Sequence, residues 1–132
     1  MHAIRSSSEG FAGFGEAYFS KVEPGVTKAW KRHRLMTLNL VVPVGRVAIG
    51  VLDMDASTGR IYELGHESYA RLNIPPGIWT GFRSLSTETS LMMNIANIEH
   101  DPDESDRMPE TAVDFLWDAL PFPSGPDQDI RL

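Results

Sequence analysis

The sequence predicts an all-β domain, a sandwich or small barrel of about eight short strands, and three observations point to it. Runs rich in β-branched and aromatic residues recur through residues 16–97. Turn chemistry separates them: Pro24-Gly25, Pro43-Val44-Gly45, Ser57-Thr58-Gly59 and Pro75-Pro76-Gly77 supply the fixed or positive φ that tight reversals need. One stretch alone, Glu110–Trp117, carries apolar residues (Ala112, Val113, Leu116, Trp117) at helical spacing, so one short helix is expected there.

Taken in order, Glu16–Val22 is the first strand, closed by Pro24-Gly25. Val26–His33 follows; strict alternation sets Thr27, Ala29, Lys31 and His33 on one face and Val26, Lys28, Trp30 and Arg32 on the other. Met36–Val42 places Leu38, Leu40 and Val42 on a dry face and Thr37, Asn39 and Val41 on the opposite, partly polar one, where a pocket is expected. Arg46–Asp53, Gly59–Leu64 and Tyr69–Ile74 are apolar runs bounded by turns, and Gly81–Ser84 follows the Pro75-Pro76-Gly77 reversal. Thr89–Asn97 is the last; Met92, Asn94, Ala96, Ile98 and His100 share a face if it runs that far. Residues 1–12 are Ser-rich and polar, and 121–132 are Pro-rich and acidic, so both ends are expected to be loosely held around one domain at 13–120.

The 132 residues suffice for one core, and 42% hydrophobic with 23% charged residues is ordinary globular composition. No apolar run approaches the ~18 residues of a membrane-spanning helix, and the first residues lack the apolar core of a signal peptide, which leads to the expectation of a cytoplasmic protein that does not engage membranes. Twelve Lys and Arg against 18 Asp and Glu give a net charge of −6, which argues against a nucleic-acid binder living on phosphate neutralisation. The charge is uneven: residues 99–132 carry −8 and residues 1–98 carry +2, with the densest positive stretch at Lys28–Arg34. The absence of Cys excludes disulfides, thiolate catalysis and Cys-ligated zinc.

The segments Gly25–His33 (GVTKAWKRH), Ile74–Phe82 (IPPGIWTGF) and His100–Glu104 (HDPDE), in that order around a strand at Arg46–Asp53, resemble the dTDP-4-dehydrorhamnose 3,5-epimerase family of cupins over roughly residues 14–106. The resemblance implies a jelly-roll β-barrel, a homodimer, and a lumen that binds a nucleotide-linked 4-keto sugar and epimerises carbons beside the ketone without a metal or other cofactor. Position by position, Lys31 stands where the family keeps its general-base His, with His33 two residues on, and Lys28 stands for an Arg of the same motif. Thr80 replaces a His of the second segment, His100 replaces the tyrosine acid, and Asn94 an earlier tyrosine of that strand. Lys31-Arg32-His33-Arg34 also echoes the His-x-His-Lys pattern of a related cupin group, the sugar 3,4-ketoisomerases.

The candidate catalytic residues are therefore Lys31, His33 and His100. A neutral imidazole with a pKa near ~6.5 can take a proton from a carbon beside a ketone, and a lysine fixed in a water-poor cavity can hold the enolate oxygen. Either His33 or His100 is the base, and the other, or a water, returns the proton. Lys28, Asn39, Trp79, Thr80 and Asn94 are the candidate substrate-binding residues. No metal site is expected, because His33 is one ligand where cupins use four. The acidic run 101–106 reads as a solvated loop, its proline and lack of glycine being wrong for a calcium loop. Ketoisomerisation of the same substrates and non-catalytic binding of a sugar nucleotide are the alternatives.

Overall fold

The computed structural model describes residues 1–53, 55–119 and 128–132. Among the described residues ten strands form: β1 (Glu16–Val22), β2 (Thr27–His33), β3 (Leu38–Val44), β4 (Arg46–Leu52), β5 (Gly59–Gly65), β6 (Ala70–Ile74), β7 (Trp79–Ser84), β8 (Ser90–Ala96), β9 (Ser105–Arg107) and β10 (Gln128–Arg131). They make two five-stranded sheets, β1-β8-β3-β6-β10 and β5-β4-β7-β2-β9. This is the jelly roll that the resemblance implies. Among the described residues no helix is long and apolar enough to cross a membrane.

The core lies between the sheets, built on Val47, Ile49 and Val51 of β4 against Leu38, Leu40 and Val42 of β3, with Leu64, Leu72, Ile74 and Met92. Both sheets are also covered outside, which is why β3 and β4 read as nearly unbroken apolar runs instead of alternating ones. Ala3 and Ile4 pack on Val41, Tyr69 and Ile95 over the first sheet. Val113, Phe115 and Trp117 cover the second, packing with Trp30, Leu52, Ile61 and Trp79.

That second cover corrects the expected helix over Glu110–Trp117. It is a single 3-10 turn, Glu110–Ala112, after which the backbone is extended at Val113. Val113, Phe115 and Trp117 then point to the sheet at a period of two, while Leu116 is 73% exposed. Trp30 stacks on Trp117 at 5.5 Å and meets the edge of Phe115 at 4.8 Å. Gly50 makes room for this cluster, since a Cβ there would lie 2.8 Å from Phe115 and 2.9 Å from Trp117. Gly50→Ala is expected to lower stability by about 1–3 kcal/mol through overpacking, read as a shift of the urea midpoint at constant slope.

Two strands have no counterpart in the sequence reading. β9 pairs with β2 and extends the second sheet, and β10 pairs in parallel with β6 at the edge of the first. Residues 121–132 were expected as a tail; its last residues, Gln128–Arg131, are this strand, and 120–127 lie outside the described residues. At the other end Glu9 and Gly10 offer their carbonyls to Arg71 and Asn73.

Candidate functional site

Two rows of paired residues face one another across the sandwich at its β1/β2 side. In the first sheet Tyr18, Asn94 and Leu40 are register partners across β1, β8 and β3. In the second, Thr80, Lys31 and Arg107 are partners across β7, β2 and β9. Paired residues in a sheet point to the same face, so each row presents its side chains together. Between the rows lies a cavity of about 170 Å³ lined by Tyr18, Lys31, His33, Thr80, Phe82 and Asn94 among others.

His33 is its best-defined member. It is 7% exposed, and its Nδ1 is hydrogen-bonded to Oε1 of Glu104, itself 4% exposed. The other carboxylate oxygen accepts from the backbone amides of Leu35 at 3.1 Å and Met36 at 3.3 Å. Burial disfavours the Glu104 charge, but the bonds from His33, Leu35 and Met36 outweigh it and hold the carboxyl below its ordinary range. Burial, reinforced by the charges of Lys31 and His100, keeps the His33 pKa below its ordinary value despite Glu104. His33 is thus a neutral imidazole whose Nδ1–H is engaged by Glu104, leaving the lone pair on Nε2, which has no partner among the described residues.

Lys31 is half-buried beside it. Burial and the neighbouring Arg107 lower its pKa, with Glu104 opposing. Across the row, the Thr80 hydroxyl is buried with no hydrogen-bond partner. Asn94 accepts from the Asn39 amide at 3.0 Å and donates to the Tyr18 hydroxyl oxygen at 3.2 Å, which leaves the phenolic proton free.

The structure gathers Lys31, His33, Thr80 and Asn94 into this pocket and places the other candidates elsewhere. Asn39 faces outward, because the lumen face of β3 is the apolar one of Leu38 and Leu40. Its side-chain oxygen accepts from Arg71 and from Asn73 at 2.9 Å, and its amide donates to the Ile95 carbonyl, so no polar atom remains for a ligand. Trp79 packs in the outer aromatic cluster, 8% exposed, with the Arg32 guanidinium 4.6 Å from its ring centre. His100 is exposed beyond the end of β8, which stops at Ala96, though its charge still reaches His33. Lys28 is exposed and lines a wider groove next to the pocket.

Strict alternation fails in β2. Lys28 pairs with Phe82 and Lys31 with Thr80, three residues against two, so a bulge brings both lysines to one face. Gly81 admits it: a Cβ there would lie 2.7 Å from Cβ of Ala29.

Sequence reasoning missed Glu104 and Tyr18. Glu104 sits in the acidic run read as a solvated loop, although the 3-10 turn Pro102–Glu104 points it inward. No local pattern marks a partner 71 residues from His33. Tyr18 had a usable signal, since the resemblance lacks two tyrosines and β1 is the strand paired with Asn94. Among the described residues no three His, Asp or Glu side chains converge as metal ligands would.

No family model matches the chain. A probable low-salt glycan biosynthesis epimerase, Agl13 of Haloferax volcanii, is 32% identical over 96 residues, 68% of this chain; the chain spans 62% of that relative's length. The spore coat polysaccharide biosynthesis protein SpsL of Bacillus subtilis is 28% identical over 113 residues, covering 79% of this chain and 75% of its own. Among solved structures, a dTDP sugar isomerase from Desulfovibrio desulfuricans G20 superposes with a TM-score of 0.79 at 38% identity, covering 90% of this chain and 81% of that one.

Proposed function

Because the chain belongs to the dTDP-4-dehydrorhamnose 3,5-epimerase-like family of cupins, we propose that it is an isomerase that epimerises a nucleotide-linked 4-keto-6-deoxy sugar by metal-independent proton transfer at carbon. The observation that carries this reading is the His33–Glu104 pair: a neutral imidazole, its tautomer set by a buried carboxylate, with Nε2 left for a cavity that also holds Lys31.

In the proposed reaction His33 Nε2 removes the proton alpha to the ketone. The electron pair moves onto the carbonyl oxygen, where the half-buried Lys31 ammonium meets the developing negative charge. Thr80 and Asn94 orient the ring; the unpartnered Thr80 hydroxyl suits a substrate oxygen. Tyr18, held by Asn94, is placed to return a proton from another wall of the cavity, a role that the exposed His100 is less well placed to fill.

The reading includes a cytoplasmic homodimer. Tyr18 and Phe19, 40% and 60% exposed on the edge strand β1, support a second copy against that edge, and sedimentation velocity at twice the chain mass is the expected result. The family relatives named for glycan and spore-coat polysaccharide biosynthesis support a polysaccharide pathway as the setting.

Incubation with dTDP-4-keto-6-deoxyglucose in D2O tests the chemistry. Deuterium is expected at carbons 3 or 5; a protein that binds the compound and incorporates none would overturn the reading. Product analysis separates epimerisation from ketoisomerisation, which shares the enolate. The pH profile of exchange is expected to be bell-shaped: the acid limb falls below the ordinary 6.5 of histidine, because His33 must be neutral, and the alkaline limb below the ordinary 10.5 of lysine, because Lys31 must be charged.

A further inference from the structure

The outer face of the second sheet, behind the lumen pocket, carries a row of contacts that the proposed reaction does not use. Trp79, Arg32 and Asp106 are register partners across β7, β2 and β9, so their side chains stand together on the face opposite Lys31 and His33. The Arg32 guanidinium lies 4.6 Å from the Trp79 ring centre and donates to Oδ2 of Asp106 through Nε at 3.2 Å and Nη2 at 2.8 Å. Oδ1 of the same carboxylate accepts from Nη1 of Arg34 at 3.3 Å, and Nη2 of Arg34 donates to the Asp103 carbonyl. What these contacts tether is a strand with little to hold its own place. β9 consists of Ser105, Asp106 and Arg107, none of them buried or apolar. Register is set by an apolar pattern, and backbone pairing alone is as good two residues along. Past β9, Met108 packs in the outer aromatic cluster and anchors the far end. On the near side Asp106 is the last outer-face anchor before the 3-10 turn Pro102–Glu104. A slip of two residues would move that turn by about 7 Å and take Glu104 out of reach of His33. Glu104 is turned inward against the cost of burying its charge, which leaves its position dependent on how firmly the turn is tethered. Ion pairs as exposed as Arg32–Asp106, 30% on each side, add little to stability, so the clustering of donors on one carboxylate points to a role in position.

We infer that Arg32 and Asp106 are positioning residues: their pair fixes the register in which β9 joins β2 and so holds Glu104 against His33 from outside the pocket. The inference rests on the epimerase reading only for its effect on rate. Neither residue lines the lumen, so neither is placed to touch a sugar ring there. Both act through Glu104, whose hold on the Nδ1–H decides which nitrogen of His33 is basic. A His33 free to change tautomer carries its proton on Nε2 part of the time and then faces the cavity as a donor. Arg34 is a weaker tie to the same turn: its side chain is 53% exposed, and its backbone amide bonds the Glu104 carbonyl at 2.8 Å whatever that side chain does.

Nitrogen NMR of the full chain with isotope-labelled histidine tests this without any substrate. The His33 signals are assigned by their loss in His33→Asn, and wild type is expected to carry the ring proton on Nδ1. In Asp106→Ala and in Arg32→Ala the proton is expected to divide between the two nitrogens. Asp106→Glu keeps a carboxylate within reach of Arg32 and is expected to restore the wild-type signals. With a 4-keto sugar nucleotide, kcat for deuterium exchange is expected to fall about tenfold in both alanine variants while KM stays within about twofold. Arg46→Ala, which breaks a part-exposed ion pair with Glu63 elsewhere in the same sheet, is expected to change neither the signals nor kcat. The unfolding temperature of the Asp106 and Arg32 variants is expected within about 5 °C of wild type, and Asp106→Asn, nearly the same in shape, replaces an alanine variant that fails to fold. Variants that keep the proton on Nδ1 and the wild-type pH profile, whatever their unfolding temperature, would overturn the inference, as would a wild type whose proton is already divided. Variants that release the Nδ1 proton, in a protein that exchanges no proton into any sugar nucleotide, would leave the positioning role standing and remove the epimerase reading.

Discussion

Replacing His33 with Asn is expected to lower solvent-proton exchange into the bound keto sugar by about a thousandfold, within the range a general base contributes. Asn is close in size and still donates toward Glu104, so the variant should fold and bind. What it lacks is a basic nitrogen in the cavity. Two other groups could partly replace it, and they predict different outcomes. Burial and Arg107 lower the Lys31 pKa, and an exchange rate that stays high while rising steeply with pH would transfer the base role to it. His100 is exposed, so a His33→Asn variant whose residual rate vanishes on adding His100→Asn would make that residue the relay. A variant as fast as wild type at all pH values would remove His33 from the chemistry.

Glu104 is expected to produce the second large effect, on stability and rate together. Glu104→Ala strips the partner from the buried His33 Nδ1–H and leaves the buried Met36 amide and the part-buried Leu35 amide unpaired. Such losses cost about 1–3 kcal/mol each for groups that stay dry, so a total of about 3–5 kcal/mol is expected from urea unfolding. Glu104→Gln retains much of the packing and is expected to cost about 1–2 kcal/mol by the same measurement. Its larger consequence is kinetic: an amide can donate to the imidazole as well as accept, so His33 is free to carry its proton on Nε2, where it cannot act as a base. A drop of about a hundredfold or more in exchange, with binding preserved, is the signature of this positioning role.

The same pair makes stability depend on pH. Both folded-state pKa values lie below the ordinary ones of 6.5 and 4.5, so the unfolded chain binds the more protons as the medium turns acid. The stabilisation is complete above pH 6.5 and is lost as pH falls, the His33 part from 6.5 downward and the Glu104 part from 4.5 downward. His33→Asn is expected to flatten the first part of this slope.

The strands were legible because the two covers leave most of β3 and β4 apolar on both faces, giving runs cut sharply by Pro and Gly. The same covers hid the orientation. With both faces of β3 dry, polarity pointed to the wrong side, and Asn39, which serves a hydrogen-bond network with Arg71 and Asn73, looked like a ligand contact. Trp79 was misplaced for a related reason, since the residues that bury it arrive from 113–117, a segment whose period of two resembled a helix turn. Lys31 and His33 were legible as a pair because only one residue separates them and the bulge lies before both. β9 and β10 carry three and four residues of mostly polar character and take their strand form from the edges they join.

The bulge in β2 makes chain length itself a functional parameter. Three residues of β2 span two of β7 between the Lys28–Phe82 and Lys31–Thr80 pairs, so at this length the bulge is what keeps both lysines on one face. Deleting Ala29 would leave Lys28 and Lys31 two residues apart, and plain alternation would then keep them together with the same partners. A side chain at Gly81, which would crowd Ala29, acts the other way, pressing the bulge out of a chain that still has the odd residue. His33 is held by Glu104 and Lys31 by its pairing with β9, so the resulting slip would fall on the other end of the strand and turn Lys28 to the opposite face. Shortening one strand and enlarging a residue of its neighbour therefore have opposite consequences for the two lysines.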